Sequence, residues 1–277
     1  MKKFNLASKL FFVFFGVSLN AMYSEEPVVK SAKKGQKFSE EVIANASKVY
    51  QEVKNLEFIK KLTSGALDLE TFMYYIEQDT EFLAVMQPLA REIAGMVEGK
   101  IFAIEIGLGR EQSLAREEAK KFAGAFSELA DNECEDAAKK GADFFFHSFV
   151  KDEKFQATGK RTPALVEYVN FFKKMVQSGS VEEIVAAFLP CPWLYWYLAI
   201  AIKPLADPKG KYYSWIEAYA SESSEQGVKK LLELFDLLAL HASPENREKM
   251  NAAFQKAMEL ERNFWDDAYH MRAVESK

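Results

Sequence analysis

Apolar residues return at helical spacing through most of this chain, and that periodicity constrains its fold more than any single motif. Phe72, Tyr75, Ile76, Leu83 and Met86 set the pattern, and no stretch alternates with period two for long enough to build a sheet. With 277 residues, 49% of them hydrophobic, the chain can bury a large core, and no Pro- or Gly-rich linker divides it. The expected fold is all-α, a single-domain helical bundle. A net charge of −5 without a basic stripe argues against nucleic acid as the main partner, because little could release phosphate counterions.

Residues 1–21 have the parts of a secretory signal peptide. Lys2, Lys3 and Lys9 supply positive charge, and residues 10–19 form an apolar core shorter than a bilayer span. Cleavage is favoured after Ala21, with an uncleaved anchor as the alternative. Residues 22–37 are charged, contain Pro27 and Gly35, and read as a flexible tether. The folded domain is expected over residues 38–277. The mature protein is therefore expected to be exported, periplasmic or secreted, without a membrane attachment, and no second spanning stretch is expected.

Within the domain, Ser39 is expected to cap a helix reaching about Val53, and a shorter helix should end at Ser64-Gly65. Asp68 should cap a helix on which Tyr75, Asp79 and Phe82 share one face, with a bend at Gln87-Pro88. Gly107-Leu108-Gly109 reads as a helix break rather than a phosphate loop, since no strand precedes it. Residues 110–140 should pack through Leu114, Phe122, Phe126 and Leu129. Thr162-Pro163, Ser180 with Glu183, and Ser243-Pro244 each mark a helix start. A further amphipathic helix is expected over residues 228–240.

The chemistry-bearing stretch is Leu189-Pro190-Cys191-Pro192-Trp193-Leu194-Tyr195-Trp196-Tyr197, a thiol between two prolines followed by aromatic side chains. The prolines should kink a helix at Cys191, and a resumed helix would put Tyr195 one turn from the sulfur. On residue type alone, Cys191 could equally be a small core hydrophobe. On the last helix, Glu261 shares a face with Phe264 and Trp265, whereas Glu259 lies about 200° round and should be solvated. Cys134, between Glu133 and Glu135, should have a raised pKa and be a poor nucleophile. His147, His241 and His270 are scattered without a Glu-x-x-His pair, so no metal or other cofactor is expected.

Taken in order, Phe72-x-x-Tyr75-x-x-Gln78-Asp79, Leu189-Pro190-Cys191-x-Trp193-x-Tyr195, Tyr213-x-Trp215-Ile216-x-x-Tyr219 and Glu261-x-x-Phe264-Trp265 resemble the TenA, or thiaminase II, family. The resemblance covers about residues 38–269. It implies a helical bundle similar to haem oxygenase without haem, usually a homotetramer. It also implies metal-free hydrolysis of aminopyrimidines, either thiamin or 4-amino-5-aminomethyl-2-methylpyrimidine, to hydroxymethylpyrimidine for thiamin salvage. By the same resemblance, Cys191 is the nucleophile and Glu261 the acid for the ring nitrogen. Asp79 holds the 4-amino group and can take the thiol proton, while Tyr75, Phe82, Tyr195, Tyr219 and Phe264 line the ring pocket. Phe82 stands where the family often has Tyr, and Val166 stands where another pocket Tyr is expected, with Tyr168 two residues on. A binding protein that kept the pocket but not the turnover, and a protein-interaction scaffold, are the alternative readings.

Overall fold

The computed structural model describes residues 37–131 and 158–274, and among these every regular element is helical. The expected signal peptide and nearly all of the tether, together with Cys134 and His147, lie outside the described residues. Three short helices open the domain: α1 (Phe38–Asn45), α2 (Ser47–Lys54) and α3 (Glu57–Ser64). The single helix expected from Ser39 is thus two, divided at Ala46 (φ −85°, ψ 0°). Nor is Ser39 the cap. It sits inside α1, where its backbone N–H and Oγ both donate to the Asp236 carboxylate at 2.8 and 2.9 Å. Gly65 ends α3 in the left-handed region at φ 74°, as anticipated.

Helix α4 (Leu69–Gly107) is 39 residues long, roughly 58 Å at 1.5 Å per residue. Asp68 occupies its N-cap position without a side-chain bond to the first turn, and Pro88 lies within the helix. The chain turns at Gly109 (φ 79°) and packs back along α4 as α5 (Gln112–Asp131). Leu114 was expected on the buried stripe of that helix but is 50% exposed. Ala115 and Ala119 face α4 instead, beside the buried Phe122 and Phe126. Small side chains let the two helices approach closely.

The remaining helices are α6 (Pro163–Ser178), α7 (Val181–Phe188), α8 (Pro190–Ile202), α9 (Tyr213–Tyr219), α10 (Glu222–Leu240) and α11 (Pro244–Tyr269). The Thr162, Ser180 and Ser243 side chains accept from backbone N–H groups three residues on, which fixes the starts of α6, α7 and α11. Ser221 does the same for α10, which begins six residues before the expected 228. The break between α7 and α8 falls at Leu189, two residues before Cys191. Pro190 has no N–H to give the Ala186 carbonyl, so the ladder stops there while Leu189 keeps helical angles (φ −56°, ψ −37°).

Contrary to expectation, a second segment, Val181–Leu205, is long and apolar enough by composition to cross a membrane. It is nevertheless split at Leu189, and 67% of its most apolar 18-residue stretch is buried within the protein, as in core helices. One contiguous apolar cluster from Val42 to Ala268 joins α1 to α11.

Candidate active site

Four helices converge on one recess in this core. Asp79 comes from α4, Tyr168 from α6, Cys191 from the first turn of α8, and Glu261 from α11. The Tyr168 hydroxyl donates to Glu261 Oε1 at 2.8 Å, and the Cys191 thiol lies close enough to the same carboxyl for each to act on the other's titration. Asp79 lies near enough to act on both Cys191 and Glu261 through its charge. Glu261 is only 2% exposed, whereas Glu259 is exposed, in accord with the helix-face reading.

Cys191 and Asp79 each keep some accessible surface, yet burial dominates the titration of both. Surface that solvent can reach at such depth belongs to the wall of an interior recess. Among the described residues no side-chain hydrogen bond reaches the Asp79 carboxyl, so its acceptor capacity is turned toward that space.

Aromatic rings enclose the recess. Tyr75 donates to the Tyr195 hydroxyl (3.4 Å), which also accepts from Trp265 Nε1 (2.6 Å). Tyr219 lies near Tyr75 and stands 4.9 Å from the Tyr195 ring, centroid to centroid. Phe82 lies between Tyr168 (4.9 Å) and Phe264 (6.3 Å), and Phe264 meets Tyr75 edge-on at 6.1 Å. The structure therefore gathers the eight side chains singled out above, Cys191, Glu261, Asp79, Tyr75, Phe82, Tyr195, Tyr219 and Phe264, around one space.

Two participants were missed or misplaced. Val166 does not stand in the pocket: it is 37% exposed on the outer face of α6. Tyr168, about 200° further round that helix and 1% exposed, supplies the inward hydroxyl, so no phenol is missing from α6. Its place beside Phe172, four residues on, was the available signal, since both rings share a buried face. Trp265 adds a donor to the wall that its motif did not foretell.

Burial sets the electrostatics of the site. Burial pushes the Asp79 carboxyl up to about 7. Burial also raises Glu261, and the Asp79 charge adds to it; the Tyr168 hydroxyl, and after it the nearby Cys191 thiol, hold it back, leaving it at about 7. The Cys191 thiol is driven well above its ordinary value, first by burial and then by the Glu261 and Asp79 charges. A free thiolate is thus disfavoured, and Glu261 weighs on the thiol more than Asp79 does. What the arrangement can do is pass a proton between sulfur and carboxyl while a planar molecule lies among the rings.

The TENA/THI-4/PQQC family profile matches residues 149–271. An aminopyrimidine aminohydrolase of Helicobacter pylori is 26% identical over 239 residues, 83% of this chain and 98% of that protein. The Bacillus subtilis aminopyrimidine aminohydrolase is 27% identical over 239 residues, 84% of this chain and 90% of that protein. Among solved structures, a TenA homologue from P. horikoshii superposes with a TM-score of 0.61 at 22% identity, over 85% of this chain and 99% of that one. The TenA-family resemblance read from the motifs is borne out, and the helical fold with it.

Proposed function

We propose that this protein is a metal-free hydrolase of aminopyrimidines, cleaving thiamin or its aminomethyl-pyrimidine breakdown product to hydroxymethylpyrimidine. The observation that carries this reading is the Tyr168–Glu261 hydrogen bond set beside the Cys191 thiol and an unpartnered Asp79 carboxyl, within a ring of aromatic side chains. The names of the two aminohydrolase relatives support the substrate class.

The chemistry follows from who touches whom. Glu261, beside the thiol, takes the Cys191 proton and delivers it to the pyrimidine ring nitrogen as sulfur bonds to C6. A thiol with a raised pKa suits this sequence, because the thiolate forms only when the proton has somewhere to go. The 4-amino electron pair, relayed through C4 and C5 of the dearomatised ring, then expels thiazole, or ammonia from the protonated aminomethyl group, from the exocyclic methylene. Water adds to that methylene and releases its extra proton to solvent, the C–S bond breaks, and the ring-nitrogen proton returns through Glu261 to the Cys191 sulfur. Asp79 accepts from the 4-amino group, and Tyr75, Tyr195, Tyr219, Phe82 and Phe264 hold the ring flat and exclude water. Export after cleavage near Ala21 and assembly as a homotetramer complete the reading; the first rests on the N-terminal sequence, the second on the family resemblance.

One observation favours a second reading. Phe82 brings no hydroxyl to a position where the family often has Tyr, which suits a pyrimidine-binding protein without turnover. A single experiment separates the two: chromatographic product analysis on both substrates with mature protein and Cys191→Ser. Hydrolysis by the wild type alone supports the enzyme. Hydrolysis by the variant at the wild-type rate removes the nucleophile role. No hydrolysis by either, with thermal stabilisation of both by pyrimidines, establishes the binder.

A further inference from the structure

Gln78 takes no part in the chemistry above, yet it is fully buried beside Asp79 on α4. Its amide reaches away from the recess to the start of α6: Nε2 donates to the Lys160 carbonyl at 2.8 Å, and Thr162 N donates to Oε1 at 2.9 Å. Asp267, on the same helix as Glu261, grips the next residues, with Ala164 N donating to its Oδ2 at 2.9 Å. Arg272 holds the other oxygen of Asp267 at 2.7 Å.

Ala164 and Tyr168 lie one turn apart on the buried face of α6, so whatever fixes the first fixes the second. Helix α6 is thereby tied to α11 twice, at Ala164–Asp267 and at Tyr168–Glu261, and to α4 through Gln78. The exposed contacts nearby, such as Arg161 with Glu81 at 2.7 Å, are screened by solvent and cannot hold the register as well.

We infer that Gln78 and Asp267 are positioning residues for the reaction, which pin the first turn of α6 so that the Tyr168 hydroxyl stays on Glu261. The inference rests on the function proposed above only in naming Glu261 as the group served. The titratable groups facing Glu261 are Asp79 and Tyr75 from α4, Tyr168 from α6, and Cys191 and Tyr195 from α8. Of these, the Tyr168 hydroxyl, seated on the carboxyl, and the Cys191 thiol beside it favour its ionised form. Loosening α6 removes one of them, so the first proton lost from the Cys191–Glu261 pair leaves at higher pH.

The test uses full-length mature protein and two readouts against pH: hydrolysis, and alkylation of Cys191 by iodoacetamide followed on its own peptide by mass spectrometry. Tyr168→Phe, Gln78→Leu and Asp267→Asn should each move the acid limb of both profiles to higher pH. Each should also slow turnover by roughly 10-fold to 100-fold, as expected for losing a hydrogen bond to a charged group. Asp267→Asn is isosteric and keeps an oxygen for Arg272, which leaves its NH2 facing Ala164 N; it decides the matter if Gln78→Leu does not fold. Glu81→Gln should leave both limbs in place. Adding Gln78→Leu to Tyr168→Phe should cost nothing further, because both act on one contact. Folded Gln78→Leu or Asp267→Asn with unmoved limbs, or losses that multiply in the double variant, would overturn the inference. If the wild type hydrolyses no pyrimidine, the function fails, while the alkylation profiles still decide the positioning role.

Discussion

Replacing Glu261 by Gln should make the protein's stability less sensitive to alkali. The native carboxyl titrates at about 7 against an ordinary value of 4.5. Below pH 4.5 both the folded and the unfolded chain hold the proton, and nothing is lost. Between 4.5 and 7 only the folded chain holds it, so unfolding releases a proton and stability falls as pH rises. Above 7 the cost is complete. At about 1.4 kcal/mol per pKa unit, the rise from 4.5 to about 7 amounts to roughly 3 kcal/mol. Gln cannot ionise and escapes this loss. Urea unfolding of wild type and Glu261→Gln at pH 5 and pH 8.5 therefore has a definite expectation: the stability difference should shift by roughly 3 kcal/mol in favour of the variant at the higher pH. Asp79→Asn should show a change of the same sign, because burial also holds that carboxyl at about 7. Parallel curves for wild type and Glu261→Gln would refute the reasoning, since the carboxyl would then be as well solvated as in the unfolded chain.

On activity, Glu261→Gln should lose a factor of roughly 10² to 10⁴, typical of removing acid–base help, while Glu259→Gln should stay near wild type in the same steady-state assay. Equal losses would reverse the face assignment on α11. Val166→Ala should change kcat/KM little, whereas Tyr168→Phe should lower it; the opposite order would return the pocket role to position 166. Finally, no Cys134–Cys191 disulfide is expected. Thiol titration of denatured, non-reduced protein should find two free thiols, and a peptide map joining the two cysteines in most molecules would remove the catalytic reading.

Much of the site was legible because its residues announce their partners locally. Asp79 and Glu261 each sit within one turn of aromatic residues on the same helix face, so helical geometry alone points both toward an enclosed space. Cys191 and Tyr195 follow the same rule once α8 is known to begin at Pro190. Tyr168 was harder. Thr162-Pro163 fixes where α6 starts but not how it is rotated, and only the packing of Phe172 and Phe82 around Tyr168 selects that residue over Val166. Ser39 shows another limit. Its residue type suits a cap, but the Asp236 carboxylate, 197 positions away, claims both its donors. Leu114 marks the same boundary between local and tertiary information, since α5 turns its alanines rather than its leucine toward α4.

The pull that keeps the resting Cys191 thiol protonated also bears on how long an idle molecule survives. Peroxides and disulfides attack the thiolate form of cysteine far more readily than the thiol. A resting site that keeps its sulfur protonated is therefore chemically dormant, and it wakes only when a bound ring offers the proton a destination. In the oxidising compartment proposed for this chain, where no thiol pool repairs an oxidised cysteine, that dormancy sets the shelf life of the unoccupied protein, and substrate both exposes the sulfur to reaction and shields it from everything else.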